Sequence, residues 1–142
     1  SQINIGIAID LEDRGLIIPA VLGCENLSLV DLSRNSKALM ERAKSDDLQA
    51  EEYSATTFTV SNLGMFDVHS FVAIIYPPNS AVLALGQVKE RPAVKNGQVV
   101  VSQTMFATLS TDHRVADGAA AARFLAEIKR LLEAPANLLI QQ

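Results

Sequence analysis

The chain of 142 residues has no tryptophan, a single cysteine and an aromatic content of only 5%. With so few aromatic side chains, aliphatic residues must form most of its core. Cys24 alone cannot form an internal disulfide, and its apolar surroundings indicate a small buried side chain rather than a nucleophile. No apolar run reaches the roughly 18 residues typical of a membrane span, and the first residues lack the basic segment of a signal peptide. These absences favour a globular domain, or a part of one, that does not enter a membrane.

Positive charge is also scarce. Twelve Lys and Arg residues face 16 Asp and Glu, which gives a formal net charge of −4 and argues against non-specific binding of nucleic acid. The sequence has no glycine-rich phosphate-binding loop. Two histidines and one cysteine at scattered positions do not form a zinc signature. We therefore predict no nucleic-acid partner and no metal.

The first half of the chain predicts two strands and a helix. Alternating isoleucines at residues 3–9 are typical of a strand with one apolar face, and a charged turn then leads to a second apolar run at residues 16–22. This pair is either a hairpin or a strand followed by an irregular stretch, because Pro19 interrupts the second run. Ser28 has the spacing of a helix cap ahead of an amphipathic segment. Four basic residues of that segment predict a solvated face (Arg34, Lys37, Arg42 and Lys44), and residues 45–52 predict a polar turn.

The second half predicts mostly strands and one strong helix. Asn96 and Gly97 form a hairpin signal, whereas Arg91 and Pro92 are expected to end a strand. Strands of a mixed or antiparallel sheet together with flanking helices indicate an α+β fold. The predicted strands are residues 56–60, 81–88, 93–94, 99–101 and 104–111, and the helix is residues 119–133.

The segment from Asp112 to Gly118 has the clearest chemical character. It contains His113 and lies between a predicted strand end and a predicted helix start, where a rigid backbone can present an imidazole to a cleft. His113 is therefore a candidate for proton transfer, although a histidine that merely ends a strand remains an alternative. Asp117 is placed to begin the helix as its cap, so we interpret it as a brace for the turn.

A second candidate is Ser61, at the end of the predicted strand of residues 56–60. It does not lie in a G-x-S-x-G elbow, so a serine-hydrolase nucleophile is not indicated. A hydroxyl at a strand end can donate a hydrogen bond to a developing oxyanion, or it can simply be a strand hydroxyl. His69, on a loop with Asp67, is interpreted as solvated or as a supporting residue.

Three segments together resemble the catalytic domain of the dihydrolipoamide acyltransferases, the core components of 2-oxo-acid dehydrogenase complexes. They are TFTVSNLGMF at residues 57–66, AIIYPP at residues 73–78 with ALG at residues 84–86, and LSTDHRVADG at residues 109–118. The C-terminal helix and Pro135 are similar as well. The SNLGMF letters resemble the acetyl-transferring branch. Asp67 stands where the family usually has glycine and Tyr76 where it usually has asparagine, which affects the expected substrate preference.

The resemblance implies a chloramphenicol-acetyltransferase-like two-layer sandwich, of which residues 1–142 would be the C-terminal part, without a lipoyl or peripheral-subunit-binding domain. It implies transfer of an acyl group, with acetyl as the expected one, between dihydrolipoamide and coenzyme A, with the lipoyl group on a domain outside this chain. His113 would be the general base, with one ring nitrogen bonded to a backbone carbonyl. Ser61 would be the oxyanion donor and Asp117 would support the turn.

The resemblance also implies an assembly. The partners would be two further copies in a homotrimer, with His113 and Ser61 contributed by neighbouring chains, inside a cubic or dodecahedral core that binds the dehydrogenase components. The apolar tail at residues 138–140 would dock onto a neighbour. The compartment would be the bacterial cytoplasm or the mitochondrial matrix. Two alternatives remain at this point: a non-catalytic structural core component of such a complex, and a free-standing chloramphenicol-type acetyltransferase.

Overall fold

The computed structural model describes residues 2–140, and side chains as far as Leu138. It contains nine strands and four α-helices within that range. The strands are β1 Ile5–Ile7, β2 Ile9–Asp10, β3 Leu16–Ile17, β4 Ala20–Val21, β5 Phe58–Asn62, β6 Ala81–Leu85, β7 Lys89–Lys95, β8 Gln98–Thr104 and β9 Ala107–Thr111; the helices are α1 Leu29–Ser45, α2 Ala50–Ser54, α3 Gly118–Glu133 and α4 Ala136–Ile140.

The central element is a five-stranded mixed sheet in the order β4-β1-β5-β6-β9. β1, β5 and β6 run parallel to one another, whereas β4 and β9 are antiparallel to their neighbours. β6 has strands on both sides, and Ala81, Val82, Leu83 and Ala84 are all buried. The prediction of an α+β fold with a mixed sheet is confirmed. The strand predicted at residues 81–88 is buried on both faces and ends at Leu85, three residues earlier than predicted.

The N-terminal pair forms a hairpin with an interruption in each arm. The strand predicted at residues 3–9 divides into β1 and β2 at Ala8, and Pro19 separates β3 from β4. The amide of Ile7 donates to the carbonyl of Pro19 at 2.9 Å, so the two arms stay paired across the break. Because proline has no N–H to donate, the pairing divides at this position into a β1–β4 segment and a β2–β3 segment.

Helix α1 packs against this edge of the sheet. Its cap is Ser28, whose hydroxyl accepts a hydrogen bond from the amide of Asp31 at 3.1 Å, as predicted. Leu39 is 1% exposed and packs with Val21 and Cys24. The predicted solvated basic face is wrong for Arg42, which pairs with the buried carboxylate of Glu52. The polar turn predicted before Glu52 is short, because α2 begins at residue 50 and Glu52 closes its capping box.

The hairpin of β7 and β8 forms a separate two-stranded ribbon. Asn96 and Gly97 turn it with φ values of 52° and 78°, which agrees with the hairpin signal. The prediction that Arg91 and Pro92 end a strand is wrong, because both lie inside β7. Proline is tolerated there because a two-stranded ribbon consists only of edge strands. The strand predicted at residues 104–111 is likewise divided, with β8 ending at Thr104 and β9 beginning at Ala107.

Helix α3 covers the other end of the sheet. Its residues 118–133 agree with the prediction to within one residue, and the Phe124 ring meets the Phe58 ring of β5 edge-on at 5.8 Å. The apolar C-terminal residues form α4, but Gln141, Gln142 and the side chains of residues 139 and 140 lie outside the described part of the chain. Within residues 2–140, no helix has the length and apolar character needed to cross a bilayer.

Candidate active site

The turn between β9 and α3 carries His113. At its start, the amide of Asp112 donates to the carbonyl of Ser80 at 2.8 Å, and the carbonyl of Asp112 accepts from the amides of Val115 and Ala116. Arg114 donates to the Asp112 carboxylate through its backbone amide at 2.9 Å and through its guanidinium at 2.6 to 3.1 Å. The Arg114 guanidinium lowers the pKa of Asp112 to about 2, so this carboxylate is ionised at neutral pH. The turn is therefore braced on both sides of His113.

The end of the turn is fixed by Asp117. Its Oδ1 accepts a hydrogen bond from the amide of Ala120 at 2.7 Å, which confirms the predicted cap of α3. The His113 ring itself is exposed. Among the described residues it makes no hydrogen bond, and they do not supply the ring-to-carbonyl bond that the resemblance implies. The imidazole is free to meet groups that lie outside the chain.

Ser61 lies half-buried on β5 beside a cavity of about 310 Å³. Thr59 faces the same space, because residues two apart on a strand share a face. The opposite wall is a segment without regular secondary structure, from Phe71 to Ile74, whose Ala73 carbonyl accepts from the hydroxyl of Ser110 at 2.8 Å. No charged side chain of the described residues lines this cavity. The hydroxyl groups in its described lining belong to Ser61, Thr59 and Tyr76.

Several large apolar side chains surround this cavity at the surface. Leu16, Val72, Ile74 and Tyr76 all line it and are 66%, 75%, 92% and 69% exposed. The sequence has a continuous apolar run at residues 71–75, but nothing in the sequence assigned it to the wall of a site. This run is unbroken and ends shortly before a Pro-Pro pair, and such a short apolar run by itself predicts only another strand.

The structure does not bring Ser61 and His113 together within one chain. Ser61 is paired with Ala84 on β6, whereas Thr111 at the end of β9 is paired with Ala81. These β6 positions are about 10 Å apart along the strand, and β5 and β9 lie on opposite sides of β6, about 10 Å from each other. The separation of Ser61 from Thr111 is therefore about 14 Å, and the chain continues away from Ser61 before it reaches His113.

The remaining chemical candidates have structural partners. Cys24 is buried, its thiol contacts the carbonyl of Val21 at 3.2 Å, and burial raises the pKa of the thiol, which agrees with the predicted structural role. His69 contacts Arg91 through Nδ1 at 2.6 Å and packs on the ring of Phe106. Within the described part of the chain, no three His, Cys, Asp or Glu side chains are grouped so that they could hold a metal ion.

Comparison with known protein families identifies the family of this chain. Residues 1–140 match the model for the catalytic domain of the 2-oxoacid dehydrogenases acyltransferase family. The chain belongs to this acyltransferase family. It has the chloramphenicol-acetyltransferase-like fold of the family's catalytic cores, as the resemblance implied.

Curated members of the acyltransferase family include enzymes for two acyl groups. The chain is 42% identical over 140 residues to the acetyltransferase component of the pyruvate dehydrogenase complex of Rickettsia felis, covering 99% of this chain and 34% of that protein. It is 41% identical over 128 residues to the succinyltransferase component of the 2-oxoglutarate dehydrogenase complex of Haemophilus influenzae, covering 90% of this chain and 31% of that protein. The chain thus spans about a third of the length of the curated relatives it matches.

Solved structures of family members superpose closely on the chain. It matches the dihydrolipoamide acetyltransferase of Azotobacter vinelandii with a TM-score of 0.84 at 34% identity, over 96% of this chain and 56% of that one. That enzyme was investigated for the role of one serine, one histidine and one asparagine in its catalytic mechanism. The chain also matches the cubic core of a pyruvate dehydrogenase multienzyme complex, with a TM-score of 0.84 and 33% identity, over 96% of this chain and 56% of that one.

Proposed function

We propose that this chain transfers an acyl group, acetyl in preference to succinyl, between dihydrolipoamide and coenzyme A within a 2-oxo-acid dehydrogenase complex. His113 acts as the general base, Ser61 donates to the oxyanion and Asp117 holds the turn that carries His113. Coenzyme A and the dihydrolipoyl group, which is carried by a domain outside this chain, are both substrates. The bacterial relatives favour the bacterial cytoplasm as the compartment.

The spacing of these three residues is the observation that carries the proposal. The serine and histidine investigated in the Azotobacter enzyme are 52 positions apart, and its asparagine follows the histidine by 4 positions. Ser61, His113 and Asp117 have the same two intervals. Aspartate replaces asparagine at the third position, and its side-chain oxygen still accepts the backbone amide at the start of α3. The match supports both the residues and their roles.

The chemistry requires a base because the attacking group is a thiol. With a pKa of about 8.5, an alkyl thiol is mostly protonated at neutral pH, while the thiolate is the nucleophile. His113 takes the proton as the sulfur of coenzyme A attacks the thioester carbonyl, and Ser61 donates to the oxygen that becomes negative. The tetrahedral intermediate then releases the dihydrolipoyl sulfur, which receives the proton from the His113 imidazolium. One thioester replaces another, and no acyl-enzyme forms.

The distance between Ser61 and His113 supports a site built from two chains. Because they are held at different ends of the sheet in one chain, we propose that Ser61 of one copy works with His113 of a neighbouring copy. A homotrimer supplies three such sites, and trimers would assemble into a cubic or dodecahedral core that binds the dehydrogenase components. The cubic core among the solved relatives favours the first of these symmetries. Docking of the apolar tail onto a neighbour belongs to the same proposal.

The charge of the Ser61 cavity supports acetyl over succinyl. A succinyl group would bring a carboxylate into a space whose described lining has no cationic side chain. Burying an unpaired carboxylate is costly, whereas an acetyl methyl group is compatible with apolar walls. Curated relatives include an acetyltransferase and a succinyltransferase, so the preference for acetyl is argued from this cavity and not from family membership.

The test is the initial rate of acetyl transfer from S-acetyldihydrolipoamide to coenzyme A. We expect His113→Ala to lower the rate by about 10² to 10⁴ and Ser61→Ala by about 10² to 10³. The matched control is Ser33→Ala, which removes the hydroxyl of an exposed serine on α1. Near-wild-type rates for both site variants would refute the assignment, and an acyl group trapped on Ser61 or Cys24 would refute direct transfer.

The same assay separates the two alternatives. A non-catalytic core component would transfer no acetyl group and would not respond to the His113 substitution. A free-standing chloramphenicol-type enzyme would prefer a small alcohol as acceptor over a thiol. Replacing the acetyl donor by the succinyl donor tests the acyl preference, and a succinyl rate equal to the acetyl rate would contradict the argument from the cavity.

A further inference from the structure

A cluster of polar and aromatic side chains joins the loop after Ser61 to the β7–β8 ribbon. His69 Nδ1 lies 2.6 Å from the guanidinium of Arg91, and both groups contact the Phe106 ring, whose centre is 4.5 Å from that of His69 and 5.0 Å from Arg91 Cζ. Next to them, Lys89 of β7 forms an ion pair with Asp67 of the loop. We call these five residues the clasp.

The clasp lies at one end of the wall of the Ser61 cavity. Val68 is pinned to the base of the ribbon, because its carbonyl accepts from the amide of Gln87 at 2.8 Å. Two residues after His69 the chain enters the wall segment that begins at Phe71, and the next fixed point is the Ala73 carbonyl, held by Ser110. The position of this wall therefore depends on the loop at one end and on β9 at the other.

The His69–Arg91 contact requires a neutral imidazole. Arginine only donates hydrogen bonds, so Nδ1 of His69 must accept, which places the ring proton on Nε2. A protonated histidine has two donor nitrogens and a positive charge, and Nδ1 would then face a cationic guanidinium at hydrogen-bond distance. The hydrogen bond from the Arg91 guanidinium to Nδ1 therefore belongs to the neutral form of the His69 ring.

The other charges around His69 do not remove this repulsion. Asp67 is the acidic member of the clasp, and Lys89 already pairs with it. The Lys89 ammonium lowers the pKa of Asp67, so that pair persists across the pH range in which histidines titrate. Lys89, Arg91 and a protonated His69 would give the clasp three positive charges and one negative charge. Phe106, the remaining member, attracts a cation through its ring but cannot neutralise it.

We propose that His69 is a positioning residue for the acyl-transfer site: in its neutral form it accepts from Arg91 and holds the wall of the Ser61 cavity, and its protonation releases that wall. The inference rests on the proposed function for its consequence in catalysis, but the movement of the wall is a property of the chain itself. It makes the shape of the site depend on pH through a residue that does not touch the substrate.

Hydrogen exchange of the Gln87 amide, which donates to the Val68 carbonyl at 2.8 Å and so reports release of the loop, tests the proposal without an activity assay. After correction for the intrinsic effect of pH, we expect exchange at pH 5.5 to be about 3- to 10-fold faster than at pH 8. His69→Asn should remove this pH dependence and keep exchange slow, because the asparagine oxygen can accept from Arg91 at every pH. Arg91→Met should give fast exchange at both pH values, and the amides of α1 are the internal reference.

A matched variant separates the histidine contact from the neighbouring ion pair. Lys89→Met breaks the pair with Asp67 and should leave the pH dependence of exchange in place. Wild-type exchange that is independent of pH, or a pH dependence that survives His69→Asn, would overturn the proposal. If exchange behaves as expected but the protein transfers no acyl group, the proposed function fails and the clasp stands. If the protein transfers the acyl group but exchange does not depend on pH, the clasp proposal fails and the proposed function stands.

Discussion

Gly86 is the position where a single added methyl group should disturb both the fold and the site. It follows β6, and a Cβ built on it would lie 2.1 Å from the carbonyl oxygen of His69 and 2.9 Å from the carbonyl carbon. Real Cβ atoms essentially never approach a heavy atom closer than 3.0 Å. Because the obstacle is backbone rather than the end of a flexible side chain, Gly86→Ala must push the loop at residues 67–69 away by about 1 Å.

The expected cost is set by two opposing effects. Overpacking of a close backbone contact costs about 1–3 kcal/mol. Replacing glycine by alanine also lowers the conformational entropy of the unfolded chain, which stabilises the folded protein by about 0.4–1 kcal/mol. The free energy of unfolding should therefore fall by about 1–2 kcal/mol, which for a chain of this length corresponds to a Tm lower by about 4–8 °C.

The matched control is Gly118→Ala, at the first residue of α3. A Cβ there would meet no heavy atom within 4 Å, and the backbone is already helical. This variant should be more stable than the wild type, with a Tm higher by about 2–4 °C, because only the effect on the unfolded chain remains. Thermal unfolding followed by circular dichroism measures both variants.

The two substitutions, Gly86→Ala and Gly118→Ala, should therefore shift Tm in opposite directions. Equal stability of the two alanine variants would mean that the loop yields without cost, and the reasoning about the His69 backbone would be wrong. Acetyl transfer should also fall for Gly86→Ala, because the displaced loop leads into the wall of the Ser61 cavity.

Local signals predicted the elements that depend on local chemistry. The caps at Ser28 and Asp117 and the turn at Asn96-Gly97 were identified because each relies on hydrogen bonds or φ angles within a few residues. The errors concern pairing. Pro92 was expected to break a strand, yet it is tolerated because β7 pairs with another strand on one side only. This pairing is a property of the sheet topology and cannot be inferred from the residues next to Pro92 in sequence.

The sequence supplied candidate residues for the site, and only the family resemblance implied how they are arranged. His113 was identified from its position between a strand and a helix, and the structure places it there. The resemblance implied that Ser61 and His113 come from neighbouring chains. The residues alone could not show that the two lie at different ends of the sheet, because this follows from the register of β5, β6 and β9. The clasp was also missed, since His69, Arg91 and Phe106 are distant in sequence and meet only after the ribbon folds back.

Two further predictions concern charges that stabilise single elements. Arg42→Met should lower the free energy of unfolding by about 2–3 kcal/mol, because it leaves the buried carboxylate of Glu52 without its partner. Lys44→Met, at an exposed position, is the control. Its free energy of unfolding in urea should lie within about 0.5 kcal/mol of the wild-type value. In the turn, the pKa of Asp112 is lowered to about 2 because Arg114 binds the carboxylate. Its contribution to stability is therefore complete above the ordinary aspartate range and is lost as the pH falls towards 2. An NMR titration of the Asp112 carboxyl should have its midpoint near this value and should move upward in Arg114→Gln; a wild-type midpoint near the ordinary value of about 3.9 would mean that Arg114 does not brace the turn beside His113.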